Sequence, residues 1–204
     1  MYIPKHNQLD DRAALLAYMR AYSFAALVSS GPGGLTATHL PFVIEDEDGR
    51  ITLLAHMAKA NPQWRDFAAG AEALVIFMQP HAYVSPRLYD SRQNVPTWNY
   101  VAVHAYGRPL LIEERAAKIE LQQKLIRAHD AAYLAQMAEL PASYLDARLA
   151  AIVSFSLVTT RIDARYKLSQ DKTPAERERI ARELETGGDS VAAETASLMR
   201  KHGV

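Results

Sequence analysis

The 204-residue chain has no cysteine, which excludes disulfides, thiolate nucleophiles and every zinc site that needs sulfur. A reducing cytoplasm is the simplest home for such a chain. No apolar run approaches the ~20 residues that span a bilayer, and the opening Met1-Tyr2-Ile3-Pro4-Lys5-His6 has no apolar signal core. Neither secretion nor a membrane is expected. Net charge is also missing: Lys plus Arg and Asp plus Glu number 23 each, and the pI is ≈ 7.1. No overall positive field draws the chain to nucleic acid, so DNA binding would need a local patch or a dimeric assembly. There is no internal repeat, no low-complexity tract and no recognisable helix-turn-helix.

Two catalytic arrangements are absent as well. None of the seven histidines forms an i, i+4 helical pair with a nearby carboxylate, and no metal site is expected. His39, His56 and His104 fall at or near strand positions, where lone histidines are usually hydrogen-bonded structural groups. Ser85 and Ser169 stand in no nucleophile-elbow context, which argues against hydrolase chemistry.

What is present is a core-forming chain, 49% hydrophobic, patterned for strands. About six are expected, at Phe24 to Ser29, Leu35 to Glu45, Ile51 to His56, Leu74 to Met78, Val101 to Tyr106 and Ile152 to Thr160. Leu40, Phe42 and Ile44 share one face of the second. Asp10 and Asp11 can cap a helix through about Tyr22. One long helix is expected over 113–137, a shorter one over 144–150, and charged helices after Thr173 with a break at Gly187-Gly188. The fold class is mainly β with peripheral helices, a small barrel forming one domain over 1–204. Residues 173–204 are expected as a helical C-terminal extension packed on it.

Three stretches carry candidate chemistry. His56-Met57-Ala58-Lys59-Ala60 leads from a strand into Asn61-Pro62, with Asn as N-cap, Pro in the first turn and Gly70 past the end. Backbone N–H groups, a positive dipole end and the Lys59 ammonium meet there, a combination suited to phosphate. The same pattern also describes a capped helix with a solvent-exposed lysine, which is the commoner case. Along 98–106, Asn99, Val101, Val103 and Ala105 form a core face, whereas Trp98, Tyr100, His104 and Tyr106 make the opposite face aromatic and polar. That face suits packing under helices, a planar ligand or a subunit interface. Finally, Tyr166-Lys167-Leu168-Ser169-Gln170-Asp171-Lys172 can hold an anion or a carbonyl-rich ring, or form a solvated exit loop.

In order along the chain, "MYIPKH", "THLPF" (38–42), "AHMAKANPQW" (55–64), "YVSPRLY" (83–89), "VPTWNYVAVHAYG" (95–107) and "KLSQDK" (167–172) resemble the PaiB-type FMN-binding negative transcriptional regulators. The resemblance covers nearly the whole chain. It implies a split β-barrel similar to the pyridoxamine-phosphate-oxidase-like proteins, in a homodimer holding FMN at its interface. It assigns to FMN Thr38, His39, Leu40, His56, Met57, Lys59 and Asn61, with Trp98, Asn99, Lys167 and Ser169 closing the site, some from the partner chain. A lysine near the flavin N1–O2 edge would favour the anionic reduced form. The implied function is a cytoplasmic FMN-binding regulator, with redox sensing as its finer form. The alternatives are a flavin-dependent oxidoreductase and a module for another planar ligand such as haem, with a histidine as axial ligand.

Overall fold

The computed structural model describes residues 1–9 and 11–202, and only the backbone of residues 68 and 69. Helix α1 (Arg12–Ala21) starts at Asp11, whose carboxylate accepts from the Ala13 and Ala14 N–H groups. Asp10, the other cap expected, lies outside the described residues. Strands follow as β1 (Phe24–Gly31), β2 (Gly34–Pro41), β3 (Val43–Glu47), β4 (Arg50–Ala58), β5 (Ala73–Phe77), β6 (His81–Val84), β7 (Thr97–Ile112) and β8 (Ile152–Lys167). Helices α2 (Arg115–His129), α3 (Tyr133–Ala138) and α4 (Ala142–Ala150) lie between β7 and β8 in the chain, and α5 (Pro174–Thr186) and α6 (Ser190–His202) close it.

The mainly β class with peripheral helices is therefore correct, with eight strands among the described residues in place of about six. The segment expected as one strand over 35–45 is two, parted at Phe42: β2 pairs with β1, and from Val43 the chain pairs with β4 as β3. Strand β6 went unforeseen because its four residues sit between Pro80 and Ser85-Pro86, too short to establish a period. The helix expected over 113–137 breaks at Asp130, at φ −152° and ψ 75°, although no Gly or Pro marks the place.

The sheet runs β2-β1-β5-β7-β8-β4-β3, with β6 pairing to β7, and the chain falls into two compact units. One holds residues 16–77 and 104–162, the other residues 1–15, 78–103 and 163–204, so β7 and β8 each run from one into the other. In the larger unit Phe42, Phe77, Phe67 and Phe155 meet ring to ring at 5.1–6.3 Å, on the face that alternation assigned to Leu40, Phe42 and Ile44. Gly107 on β7 is required by close approach: a Cβ there would lie 2.4 Å from Val158 O on β8.

In the smaller unit, α5 opens with a reciprocal capping box between Thr173 and Glu176. It turns into α6 through Gly188 at φ +82°. Ile180, Leu184, Ala196 and Met199 are buried in this unit. On its surface Arg200 bridges Glu178 and Glu185. Among the described residues no helix is long and apolar enough to cross a membrane.

Candidate functional site

The predicted residues fall into two groups, one in each unit. In the larger unit, the punctuation at Asn61 forms as the sequence dictates. The Asn61 side chain accepts from Gln63 N, Pro62 occupies the first turn of a 3-10 helix (Pro62–Ala69), and Gly70 closes it at φ 65°. Asn61 Nδ2 donates to Thr38 Oγ1 on β2 at 2.8 Å, which ties this turn to the β2 ladder. Trp64 Nε1 braces the turn on Lys59 O at 3.1 Å.

Free backbone N–H groups were expected at the helix start, but Lys59 N donates to Ala151 O, Asn61 N to Ala58 O and Gln63 N to the Asn61 side chain. The Lys59 ammonium is exposed and without a carboxylate partner among the described residues.

The other residues of this group differ in what they can offer. His39 is exposed and stacks against Phe24 at 6.2 Å. Leu40 is 7% exposed and Met57 2%, so their side chains belong to the core and a ligand could reach little but their backbone. His56 is half-buried; its Nδ1 lies 3.2 Å from Gln122 Nε2 on α2, and burial lowers its pKa.

The second group lies in the smaller unit. Trp98 and Asn99, adjacent on β7, point in opposite directions, as the period-2 pattern requires. Asn99 is 0% exposed and its amide exchanges hydrogen bonds with Ser169 Oγ at 2.9 and 3.0 Å, with Met199 Sδ beyond at 3.2 Å. The Trp98 ring, 50% exposed, packs edge-on to His81 and Tyr83 of β6, and Tyr83 is its cross-strand partner. Lys167 Nζ donates to Trp98 O at 2.6 Å and to Thr97 Oγ1.

Asn99, Lys167 and Ser169 thus line one pocket of about 220 Å³, together with Thr97, His6 and Lys172. Ser169 sits at φ +64°, a left-handed conformation that non-glycine residues adopt at some cost and that is frequent at ligand sites. Burial first, then the neighbouring Arg165 charge, lowers the Lys167 pKa. Burial also opposes the Lys172 charge, but the Asp171 carboxylate outweighs it and raises that pKa. The pocket therefore offers two ammonium groups of different character beside amide and hydroxyl groups. Sequence reasoning missed Thr97 and His6 as lining residues, although "VPTWNYVAVHAYG" and "MYIPKH" contain them; Lys172 belongs to the 166–172 cluster it singled out.

The family model described as "Putative FMN-binding domain" matches residues 1–161. The chain belongs to this FMN-binding family. It is 35% identical over 202 residues to "Protease synthase and sporulation protein PAI 2" of Bacillus subtilis, a match covering 98% of this chain and 96% of that protein. Among solved structures, the flavocytochrome Anf3 of Azotobacter vinelandii aligns with a TM-score of 0.61 at 17% identity, over 76% of this chain and 67% of that one. The FAD and heme binding protein of Mycobacterium smegmatis aligns at 0.61 and 21%, over 79% and 73%. These likenesses place the fold with the flavin split barrels. The family match includes His6, Thr97 and Asn99 of this pocket but ends before Lys167 and Ser169, whereas the similarity to the Bacillus subtilis protein covers 98% of the chain.

The cofactor of this FMN-binding family member is FMN, and the residues present suit it. By chemistry alone, Lys59 is a cation of the kind a phosphate calls for, and Thr38, Asn61, Thr97 and Ser169 carry short polar groups of the kind that ribityl hydroxyls and ring carbonyls call for.

Proposed function

We propose that this chain is a cytoplasmic, homodimeric FMN-binding regulator, in which each flavin is held by the Lys59 group of one protomer and the Lys167 group of its partner. The observation that carries the reading is an exposed lysine, Lys59, without a carboxylate partner among the described residues, two residues before the Asn61 that is hydrogen-bonded to Thr38. An exposed cation on a turn braced by polar groups is suited to a phosphate. Thr38, His39 and His56 are the side chains proposed around it, with backbone contacts from Leu40 and Met57. Asn99, Lys167 and Ser169 close the site, and the exposed Trp98–Tyr83 pair is the proposed protomer contact. Bound FMN supplies one- and two-electron redox chemistry. The protein's own part is to hold the phosphate and to place an ammonium by the flavin edge where negative charge gathers on reduction.

The regulatory half of the proposal is supported by near full-length similarity to the sporulation protein. The helical pair α5–α6 does not supply a basic DNA-reading helix, since residues 173–204 hold five Arg and Lys against six Asp and Glu. Contact with DNA would therefore come from the assembled dimer or through another protein.

The test is FMN titration of purified protein with parallel measurement of solution mass, followed by a gel shift on its own promoter over a salt series with oxidised and reduced flavin. The reading predicts a yellow dimer whose DNA shift changes with flavin state. A monomer that binds FMN at full affinity contradicts the shared site. Steady NAD(P)H turnover without any DNA shift supports the oxidoreductase in its place.

A further inference from the structure

We propose that the cavity under α2, α3 and α4 is a second ligand site, one that takes a small aromatic carboxylic acid. The cavity measures about 430 Å³, within the roughly 300–1,000 Å³ of ordinary small-molecule sites. Its walls are apolar, with Ile126 of α2, Met137 of α3, Leu149 of α4 and Ile152 of β8 among them. Tyr133 and Tyr144 add two aromatic rings. A flat apolar body is the shape such walls bury best.

Polar groups occur at two places in this lining. His56 and Gln122 are hydrogen-bonded to each other, and with the amide nitrogen as donor, Nδ1 accepts and the proton of the neutral ring lies on Nε2. Arg148, in the last turn of α4, is exposed and its guanidinium rests 4.8 Å from the Tyr144 ring centre. It has no carboxylate partner among the described residues, and no Asp or Glu lines the cavity. A cationic ligand would meet an uncompensated positive charge there. An anion would meet a guanidinium fork, resting over a tyrosine ring, whose planar donors match a carboxylate. A single cation with apolar walls suits one carboxylate better than a phosphate dianion.

This site stands apart from the flavin reading, although His56 figures in both, and the experiment reads the two separately. FMN-loaded protein is titrated with 2-naphthoate and with its neutral isostere 2-naphthamide, while flavin content is followed by absorbance. The acid is expected to bind at least about tenfold more tightly than the amide, because only the acid forms the charge-assisted pair. Arg148→Ala should erase that preference and leave amide binding unchanged. Met137→Trp, which fills the cavity, should abolish binding of both compounds without loss of FMN. Equal affinity for acid and amide, no binding of either, or undiminished naphthoate binding in Arg148→Ala would overturn the proposal. So would a Met137→Trp protein that expels FMN along with naphthoate, because the cavity would then belong to the flavin. Should Met137→Trp fail to fold, the surface variant Arg148→Ala still decides.

Discussion

The Lys59 corner and the Lys167 pocket each combine a lysine with short polar side chains, yet they treat the ammonium in opposite ways. At the Lys59 corner the N–H groups of Lys59, Asn61 and Gln63 are taken by Ala151 O, Ala58 O and the Asn61 side chain, while Lys59 is exposed and without an ion pair among the described residues. At the Lys167 pocket the ammonium is drawn in and tied to neutral oxygens of Thr97 and Trp98, above a buried Asn99–Ser169 pair. The first leaves its charge to solvent and adds little to the fold. The second is part of the fold and offers a ligand only what the internal bonds leave over.

That contrast is sharpest under substitution. Lys59→Ala should weaken FMN by about 1.5–3 kcal/mol through loss of a charge-assisted phosphate contact. Stability of the flavin-free protein should stay within about 0.5 kcal/mol of wild type, as for surface changes generally. Isothermal titration and denaturant unfolding measure the two quantities. An unchanged FMN affinity would remove Lys59 from the site. Asn99→Ala should behave in the reverse sense and destabilise the flavin-free protein by about 1–3 kcal/mol, since it strands the buried Ser169 hydroxyl. A variant as stable as wild type would show that the pocket's interior is no part of the fold's support.

Two smaller effects concern pH. The Lys167 pKa is held below 10.5 by burial and by Arg165. Between its folded value and 10.5 the unfolded chain keeps a proton that the folded chain has lost, so this group makes stability rise with pH across that window. Lys167→Met should remove that rise, seen as a wild-type-minus-variant difference in unfolding free energy that changes through the alkaline range. A difference independent of pH would mean that the ammonium is not desolvated. The smallest effect belongs to His56, whose pKa lies below 6.5 because of burial. As pH falls from 6.5 towards the folded value, the unfolded chain gains a proton that the folded chain refuses, and stability is lost. His56→Gln should flatten that part of the acid limb of the stability profile.

Local chemistry accounts for what could be read in advance. The Asn61-Pro62 start and Gly70 end of the 3-10 helix depend on the conformations of three residues, and they form as written. The opposed faces of Trp98 and Asn99 follow from the two-residue period of a strand, as does burial of Leu40, Phe42 and Ile44. Pairings set by distant packing were not legible. The Asn99–Ser169 bond joins residues 70 positions apart, and nothing near either one announces it. The Lys59 N–H is taken by Ala151 O, which arrives from the end of α4. The Arg148 cavity likewise needs α2, α3, α4 and two strands, and its break at Asp130 carries no sequence mark.

The central claim, that one protomer's Lys59 group and its partner's Lys167 group share a flavin, has a direct test. Lys59→Ala and Lys167→Met chains carrying different tags are co-expressed, and the mixed dimer is isolated and titrated with FMN. The account predicts that each homodimeric variant binds weakly, whereas the mixed dimer regains one site of wild-type affinity, because one of its two sites collects both wild-type residues. A mixed dimer no better than its parents would mean that the two groups do not meet across a protomer boundary.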